Sequence, residues 1–134
     1  DALENVSGAM KEIYRGELTV VFGCGIDRDR SKRPLMGKIA ARLADRVIIT
    51  SDNPRSEDPE AIIDDIKRGI PDGFKKIERE SDRRRAIRSA CRTAQPGDVV
   101  LIAGKGHEER QIFKDHVIPF SDREEALRAI EERT

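Results

Sequence analysis

The sequence predicts an α/β fold, a Rossmann-like doubly wound, mostly parallel sheet with helices on both faces. Two observations carry the prediction. Short apolar runs rich in β-branched residues alternate along the chain with longer segments whose apolar residues recur at helical spacing, the order expected of consecutive β-α-β units. One run, Val99-Val100-Leu101-Ile102-Ala103, is apolar without alternation, as in a strand that helices cover on both sides. This run is expected at the centre of the sheet.

The elements follow in order. Leu3, Val6, Met10 and Ile13 share one helical face, and Gly16 supplies a left-handed stop. Leu18-Thr19-Val20-Val21-Phe22 is the first strand, ending at Gly23-Cys24-Gly25, and a helix follows with Leu35, Ile39 and Leu43 inward. Arg46-Val47-Ile48-Ile49-Thr50 is the next strand. Asp58-Pro59 starts a helix whose apolar stripe is Ile62, Ile63, Ile66 and Ile70, because Asp caps free amides and Pro at the first position loses no hydrogen bond. A poorer strand is placed near Phe74 to Ile77. Ser81 then caps a helix with Ala86, Ile87, Ala90, Cys91 and Ala94 on its core face, and Pro96-Gly97-Asp98 turns the chain into the run at 99–103. A short strand pair around Ile112 and Val117 precedes Ser121-Asp122-Arg123-Glu124, a capping box for a last helix with Ala126, Leu127 and Ile130 inward.

At 134 residues the chain is the size of one domain, able to hide roughly two-thirds of its extended surface. No internal repeat, low-complexity tract or linker divides it. Charged residues make up 39% and aromatics 4%, yet Lys plus Arg (26) equals Asp plus Glu (26), so no global field draws it to nucleic acid or to a membrane. No run approaches the ~20 apolar residues of a membrane span, and the first residues lack the pattern of a secretory signal, so a cytoplasmic protein is expected. Cys24 and Cys91 stand far apart without a CxxC pair and read as small apolar residues. With two histidines in the chain, no metal site is expected, and His107 is not assigned a catalytic role.

Three polar clusters follow strands: Gly23 to Asp29, Ser51-Asp52-Asn53-Pro54-Arg55, and Gly104-Lys105-Gly106-His107-Glu108. In a parallel sheet the strands' carboxyl ends share one edge, where open α/β folds bind ligands. Arg28 and Arg55 can grip carboxylates, while Asp52, Asn53 and Glu108 can accept hydrogen bonds from an ammonium group. The three clusters together suit a zwitterionic amino acid. Each cluster alone has a plainer reading. Gly-x-Gly can be a tight turn, and a dinucleotide fingerprint lacks its third glycine because Arg28 stands there. Lys105 between glycines suggests a phosphate-binding loop, but the upstream glycine spacing and the following Ser or Thr are missing. Asp52 to Arg55 suits a solvated turn. Arg83, Arg84, Arg85, Arg88 and Arg92 read as a solvated helix face paired with carboxylates rather than as an RNA surface, since aromatic stacking partners are scarce.

Gly23-Cys24-Gly25-Ile26-Asp27-Arg28-Asp29, Lys32-Arg33-Pro34-Leu35-Met36, Asp52-Asn53-Pro54-Arg55 and Ala103-Gly104-Lys105-Gly106-His107-Glu108 resemble, in order and spacing, motifs of the C-terminal domain of the MurE-type Mur ligases, the UDP-N-acetylmuramoyl-tripeptide synthetases that add meso-diaminopimelate. The resemblance runs from the first residues to about Arg123. It implies a single amino-acid-binding domain over residues 1–134, following the family's Asp-Tyr-Ala-His-Thr-Pro motif and lacking that first strand, the N-terminal UDP-binding domain and the central ATP-binding domain. It also implies a two-step reaction in which ATP phosphorylates the D-glutamyl carboxylate of a UDP-muramoyl dipeptide and the incoming amine attacks the acyl phosphate. Arg28, Asp52, Asn53, Arg55, Gly104 and Glu108 would hold the diaminopimelate, and Lys32 and Arg33 would line the nucleotide or acyl-phosphate side. ATP and Mg would be bound mainly outside this chain, which is expected to hold no cofactor and to be inactive alone. One departure is Ile26, where the family usually carries a second glycine. Two alternatives stand beside this reading: a non-catalytic Rossmann-like module for ligand binding or association, and a lysine-adding or folylpolyglutamate-type ligase domain.

Overall fold

The computed structural model describes residues 16–25, 30–105 and 108–133. The helix expected over Leu3 to Ile13 lies outside them. Four strands form one parallel sheet: β1 (Leu18–Phe22), β2 (Arg46–Ile49), β3 (Ile77–Arg79) and β4 (Val99–Ile102), in the order β3-β2-β1-β4. The register sets Val20 beside Val47 and Leu101. β5 (Arg110–Ile112) and β6 (Val117–Pro119) make a separate antiparallel pair. The helices are α1 (Lys32–Leu43), α2 (Pro59–Lys67), α3 (Arg83–Thr93) and α4 (Asp122–Arg133).

Helices cover both faces of the sheet. Leu18, Val20, Phe22, Val47 and Ile49 project to one side, where α1 and α2 bring Ala40, Ile62, Ile63 and Ile66. Val21 and Ile48 project to the other, where α3 and α4 bring Ala86, Ile87, Ala90 and Ala129. The period of two along β1 and β2 thus sorts their side chains between two cores, and the whole of β1 is buried. The chain winds one way through β2 and β3 and the other way through β4, so the switch point falls between β1 and β4. Ligands of open α/β sheets bind at such a point.

The sequence placed β4 at the centre, and the structure corrects this: within the described sheet β1 is central and β4 lies at an edge. The run lacks alternation because Val99 and Leu101 pack into one core while Val100 and Ile102 pack into the other. Two covered faces erase alternation whether or not both edges are paired. β3 begins at Ile77, later than the stretch expected from Phe74.

Helix starts follow local chemistry. The Asp58 carboxylate accepts from the Glu60 amide at 2.9 Å, with Pro59 at the first helical turn. The third helix is capped by Asp82, which accepts from the Arg85 amide, rather than by Ser81. Ser121 Oγ accepts from the Glu124 amide at 3.3 Å, as the capping-box reading requires.

Two inward faces differ from expectation. α1 buries Arg33, Gly37, Ile39 and Ala40 and leaves Leu35 53% exposed. α4 buries Glu125 and Ala129, with Leu127 and Ile130 half-exposed. In α1 the cause is close approach to α2: a Cβ at Gly37 would sit 2.1 Å from the Ile66 carbonyl oxygen, and one at Gly69 would sit 1.7 Å from that of Pro34. Small residues let the backbones touch, which turns the helix away from its most apolar stripe. No described helix is long and apolar enough to cross a membrane.

Gly37→Ala is expected to destabilise the chain by about 2–3 kcal/mol through overpacking, read as a lower urea midpoint at unchanged slope. An unchanged midpoint would show that the helices separate without cost.

Candidate functional site

Three segments meet at the carboxyl edge of the sheet. A Cβ at Gly23, after β1, would lie 2.3 Å from the Thr50 carbonyl, so this segment runs against the one after β2. Gly104, after β4, adopts φ +112°, and its Cβ would lie 3.4 Å from the Gly23 carbonyl and 4.0 Å from Asp52 Oδ2. Only glycine takes that conformation without strain.

The polar centre of the rim is Lys105, which is 3% exposed. Its ammonium donates to Asn53 Oδ1 at 2.9 Å and to the Arg110 carbonyl at 2.9 Å, and it lies 3.1 Å from Asp52 Oδ1 and 3.8 Å from Glu108 Oε2. Asn53 donates from Nδ2 to Glu108 Oε2 at 2.9 Å, and its Oδ1 also accepts from the Ile112 amide at 3.1 Å. Gln111, buried at the base of the hairpin, donates to the Ser51 and Asp52 carbonyls.

Arg55 lies on the same rim, two residues beyond Asn53. Its φ of +53° is left-handed, and its amide donates to the Ile112 carbonyl at 3.0 Å beside a bridge to Phe113. The hairpin therefore sets where Arg55 leaves the backbone, and its side chain is exposed. A hollow of about 380 Å³ lies alongside, bounded by Arg55, Phe113 and His116.

Of the residues expected at the site, Asp52, Asn53, Arg55, Gly104 and Glu108 come together on this edge. Arg28 and His107 lie outside the described residues. Asn53 was expected to accept from an ammonium group, but both lone pairs of its Oδ1 already face donors, so only its second Nδ2 hydrogen is left for a ligand. Lys32 is exposed at the first turn of α1. Arg33, expected beside it in the cleft, instead turns inward and is 1% exposed. Its guanidinium makes a bidentate pair with Glu57 at 2.7 and 2.8 Å, reaches Asp65 at 3.0 Å and donates to the Gly25 carbonyl at 3.4 Å. Consecutive helical residues point about 100° apart, which is why Lys32 and Arg33 part company.

Lys105, Gln111 and Arg83 were not assigned to the site. Arg83, expected on a solvated face, is 1% exposed. It pairs with both Asp122 oxygens at 2.7 Å and donates to the Ser51 carbonyl at 2.9 Å and the Ala103 carbonyl at 3.0 Å. Its neighbours keep the solvated reading: Arg84 pairs with Glu125 and Arg88 with Glu132. For Gln111 the sequence carries no signal. For Arg83 the only hint is its spacing of three from Ala86 and four from Ile87, on the helix's apolar face.

Two stability tests follow. Arg83→Met should cost about 3–5 kcal/mol, because a buried carboxylate loses its partner, and adding Asp122→Leu should restore part of the loss; strictly additive costs in urea titrations would show the pair is uncoupled. The second concerns pH. The hydrogen bond from Arg33 holds the Glu57 carboxyl below its ordinary value of 4.5, against an opposing effect of burial. A depressed acid stabilises the fold above its unfolded value and loses that contribution as pH falls through the folded one. Glu57→Gln should therefore cost about 3 kcal/mol near neutrality, with the gap to wild type closing as the pH falls below the ordinary value of 4.5. A gap that stays constant from pH 7 to pH 3 would refute the coupling.

Comparisons with known proteins identify the family. Residues 1–106 match the family model described as Mur ligase, glutamate ligase domain. Proteins named UDP-N-acetylmuramoyl-L-alanyl-D-glutamate–2,6-diaminopimelate ligase are similar across 99% of the chain, at 60% identity in Synechococcus elongatus and 58% in Thermosynechococcus vestitus. A relative of the same name from Alkalilimnicola ehrlichii is 55% identical over 131 residues. A solved structure of a ligase of that name superposes with a TM-score of 0.94 at 47% identity, over 99% of this chain and 27% of that one. The chain spans 27% of the length of the first two relatives. By family model, sequence identity and fold alike, this chain belongs to the Mur ligases and corresponds to their glutamate ligase domain.

Proposed function

We propose that this chain supplies the amino-acid pocket of an ATP-dependent amide-bond-forming ligase that adds meso-diaminopimelate to UDP-N-acetylmuramoyl-L-alanyl-D-glutamate in peptidoglycan synthesis. The observation that carries the reading is the rim itself. The Asp52 to Arg55 segment meets Glu108 through Asn53 and comes close to Gly104, and it carries the exposed Arg55 on the edge that also holds the half-exposed Glu108 carboxylate, in a chain similar to ligases named for diaminopimelate.

The residues divide the ligand's charges. Glu108, with Asp52 behind it, accepts from an ammonium group. Arg55 pairs with the carboxylate at the far end, a group that lysine lacks. The second Nδ2 hydrogen of Asn53 is assigned to the near carboxylate, which lysine shares, and Gly104 lets the ligand approach the backbone closely. Arg28 is assigned to the near carboxylate. Held in this way, the reacting amine faces the acyl phosphate of the D-glutamyl group, and positioning is the larger part of what the chain contributes. Lys32, exposed at the start of α1, is assigned to the acyl-phosphate side.

The family resemblance implies ATP and Mg, which supply the phosphoryl group and its charge neutralisation. Among the described residues no group of three or more His, Cys, Asp or Glu side chains could hold a metal ion, and the sequence contains no complete phosphate-binding loop. No step through either group is therefore assigned to these residues. A cytoplasmic setting goes with the UDP-linked substrate.

The test is a titration of the chain with meso-diaminopimelate and with lysine, followed by amide shifts. Signals of Arg55 and Glu108 should move, and diaminopimelate should bind roughly fivefold tighter, as one solvent-exposed ion pair allows. Arg55→Ala should erase that preference while leaving lysine binding within about twofold. Equal affinities for the two amino acids in the unaltered chain would remove the assignment.

A further inference from the structure

We infer that Lys105 is a positioning residue, a buried cationic strut that holds Asn53 and Glu108 in the arrangement that receives the amino acid. The inference rests on the amino-acid reading of the rim and extends it to a residue that never meets the ligand.

Lysine is among the residues least often fully buried, and when buried its charge needs partners. Lys105 has them from three directions. Asn53 and Asp52 come from the segment after β2, Arg110 from the start of β5, and Glu108 from the segment after β4. An ammonium group has three hydrogens. Asn53 Oδ1 and the Arg110 carbonyl, each at 2.9 Å, take two of them, while Asp52 Oδ1 at 3.1 Å and Glu108 at 3.8 Å pair with the charge. With its side chain shut from solvent and its charge held between Asp52 and Glu108, Lys105 acts through its neighbours rather than on the ligand.

Its effect passes through Asn53. Lys105 and the Ile112 amide fix Oδ1, which orients the side-chain amide so that Nδ2 meets Glu108 at 2.9 Å. Without the ammonium, the amide can turn over. Asp52 and Glu108 would then face each other across the rim with no cation between them, and the carboxylate meant for the ligand would swing toward water. The charge count points the same way. Asp52 and Glu108 bring two negative charges to one positive charge on Lys105, and the surplus suits one incoming ammonium group.

The strut affects both amino acids alike, because each carries ammonium groups. Arg55 alone tells them apart. Lys105→Met is therefore expected to weaken meso-diaminopimelate at least fivefold and lysine by the same factor, with the ratio of the two unchanged. Loss of the ratio, or affinities within twofold of the unaltered chain, would overturn the inference.

A second measurement needs no substitution. In the unaltered chain the Lys105 ammonium should give its own slowly exchanging nitrogen–proton signal, with a coupling across the hydrogen bond to the Arg110 carbonyl. A signal averaged with those of exposed lysines would rule the strut out even where Lys105→Met does not fold. If the unaltered chain ignores both amino acids, the ligand assignment falls, while the strut still stands or falls on this signal.

Discussion

A single buried guanidinium joins the parts of this fold that carry the site. Arg83 rises from the first turn of α3, grips the start of α4 through both Asp122 oxygens, and donates to the carbonyls of Ser51 and Ala103. Those carbonyls lie just past the ends of the two strands on either side of β1, where hydrogen bonding within the sheet has run out. Five donors in a fixed planar fork are what such a junction needs, and a lysine could not reach four acceptors in one plane. The same contacts decide how far apart the segments bearing Asp52 and Gly104 stand. The width of the candidate crevice is thus set from beneath by a residue with no solvent face.

Arg33 and Lys105 repeat this logic on a smaller scale. Each is buried, and each is surrounded by carboxylate and carbonyl oxygens from different elements. Removing a charge from water is costly, and the cost is recovered only where geometry supplies enough partners. Arg33 ties α1 to α2 and to the segment that carries Glu57, and it also reaches the Gly25 carbonyl under the first rim segment. A chain with 4% aromatic residues has few large apolar groups with which to hold loops in place. Its rim is built instead from ions whose partners are spread over distant positions, and such clusters fix orientation as well as distance.

What was legible in the sequence follows the range of the forces involved. β1, β2, α2 and α3 declared themselves because local periodicity and capping agree with the fold, as in Asp58-Pro59 and the isoleucine stripe from Ile62 to Ile70. The convergence of three polar segments followed from parallel topology alone. The failures lie where tertiary contact overrides local pattern. Leu35 is exposed because Gly37 and Gly69 draw two helices together, and β4 lies at an edge although its composition resembles a central strand. Arg83, Arg33 and Lys105 look like surface residues in any one-dimensional reading, since Ala103, Glu57 and Asn53, which help to hold them, stand 20, 24 and 52 positions away in sequence. Nothing within a local window marks a lysine as buried when its acceptors come from other strands.

Selectivity between two amino acids that differ by one carboxylate is also a question of environment. On an open rim, an Arg–carboxylate pair contributes about 0–1 kcal/mol, because water screens both partners and competes for both. Shut away from water, the same Arg without its partner would lose several kcal/mol. The left-handed backbone at Arg55, pinned by Ile112 and Phe113, fixes where the side chain leaves the chain, while the exposed guanidinium is still to be ordered when a ligand arrives. In the proposed reading, what this chain provides is registry between the segment that carries Arg55 and Glu108, through Asn53 and Lys105. The strength of the discrimination then grows with whatever excludes water from that rim, and a modest preference in the open state is the physical counterpart of a strong one in a closed state.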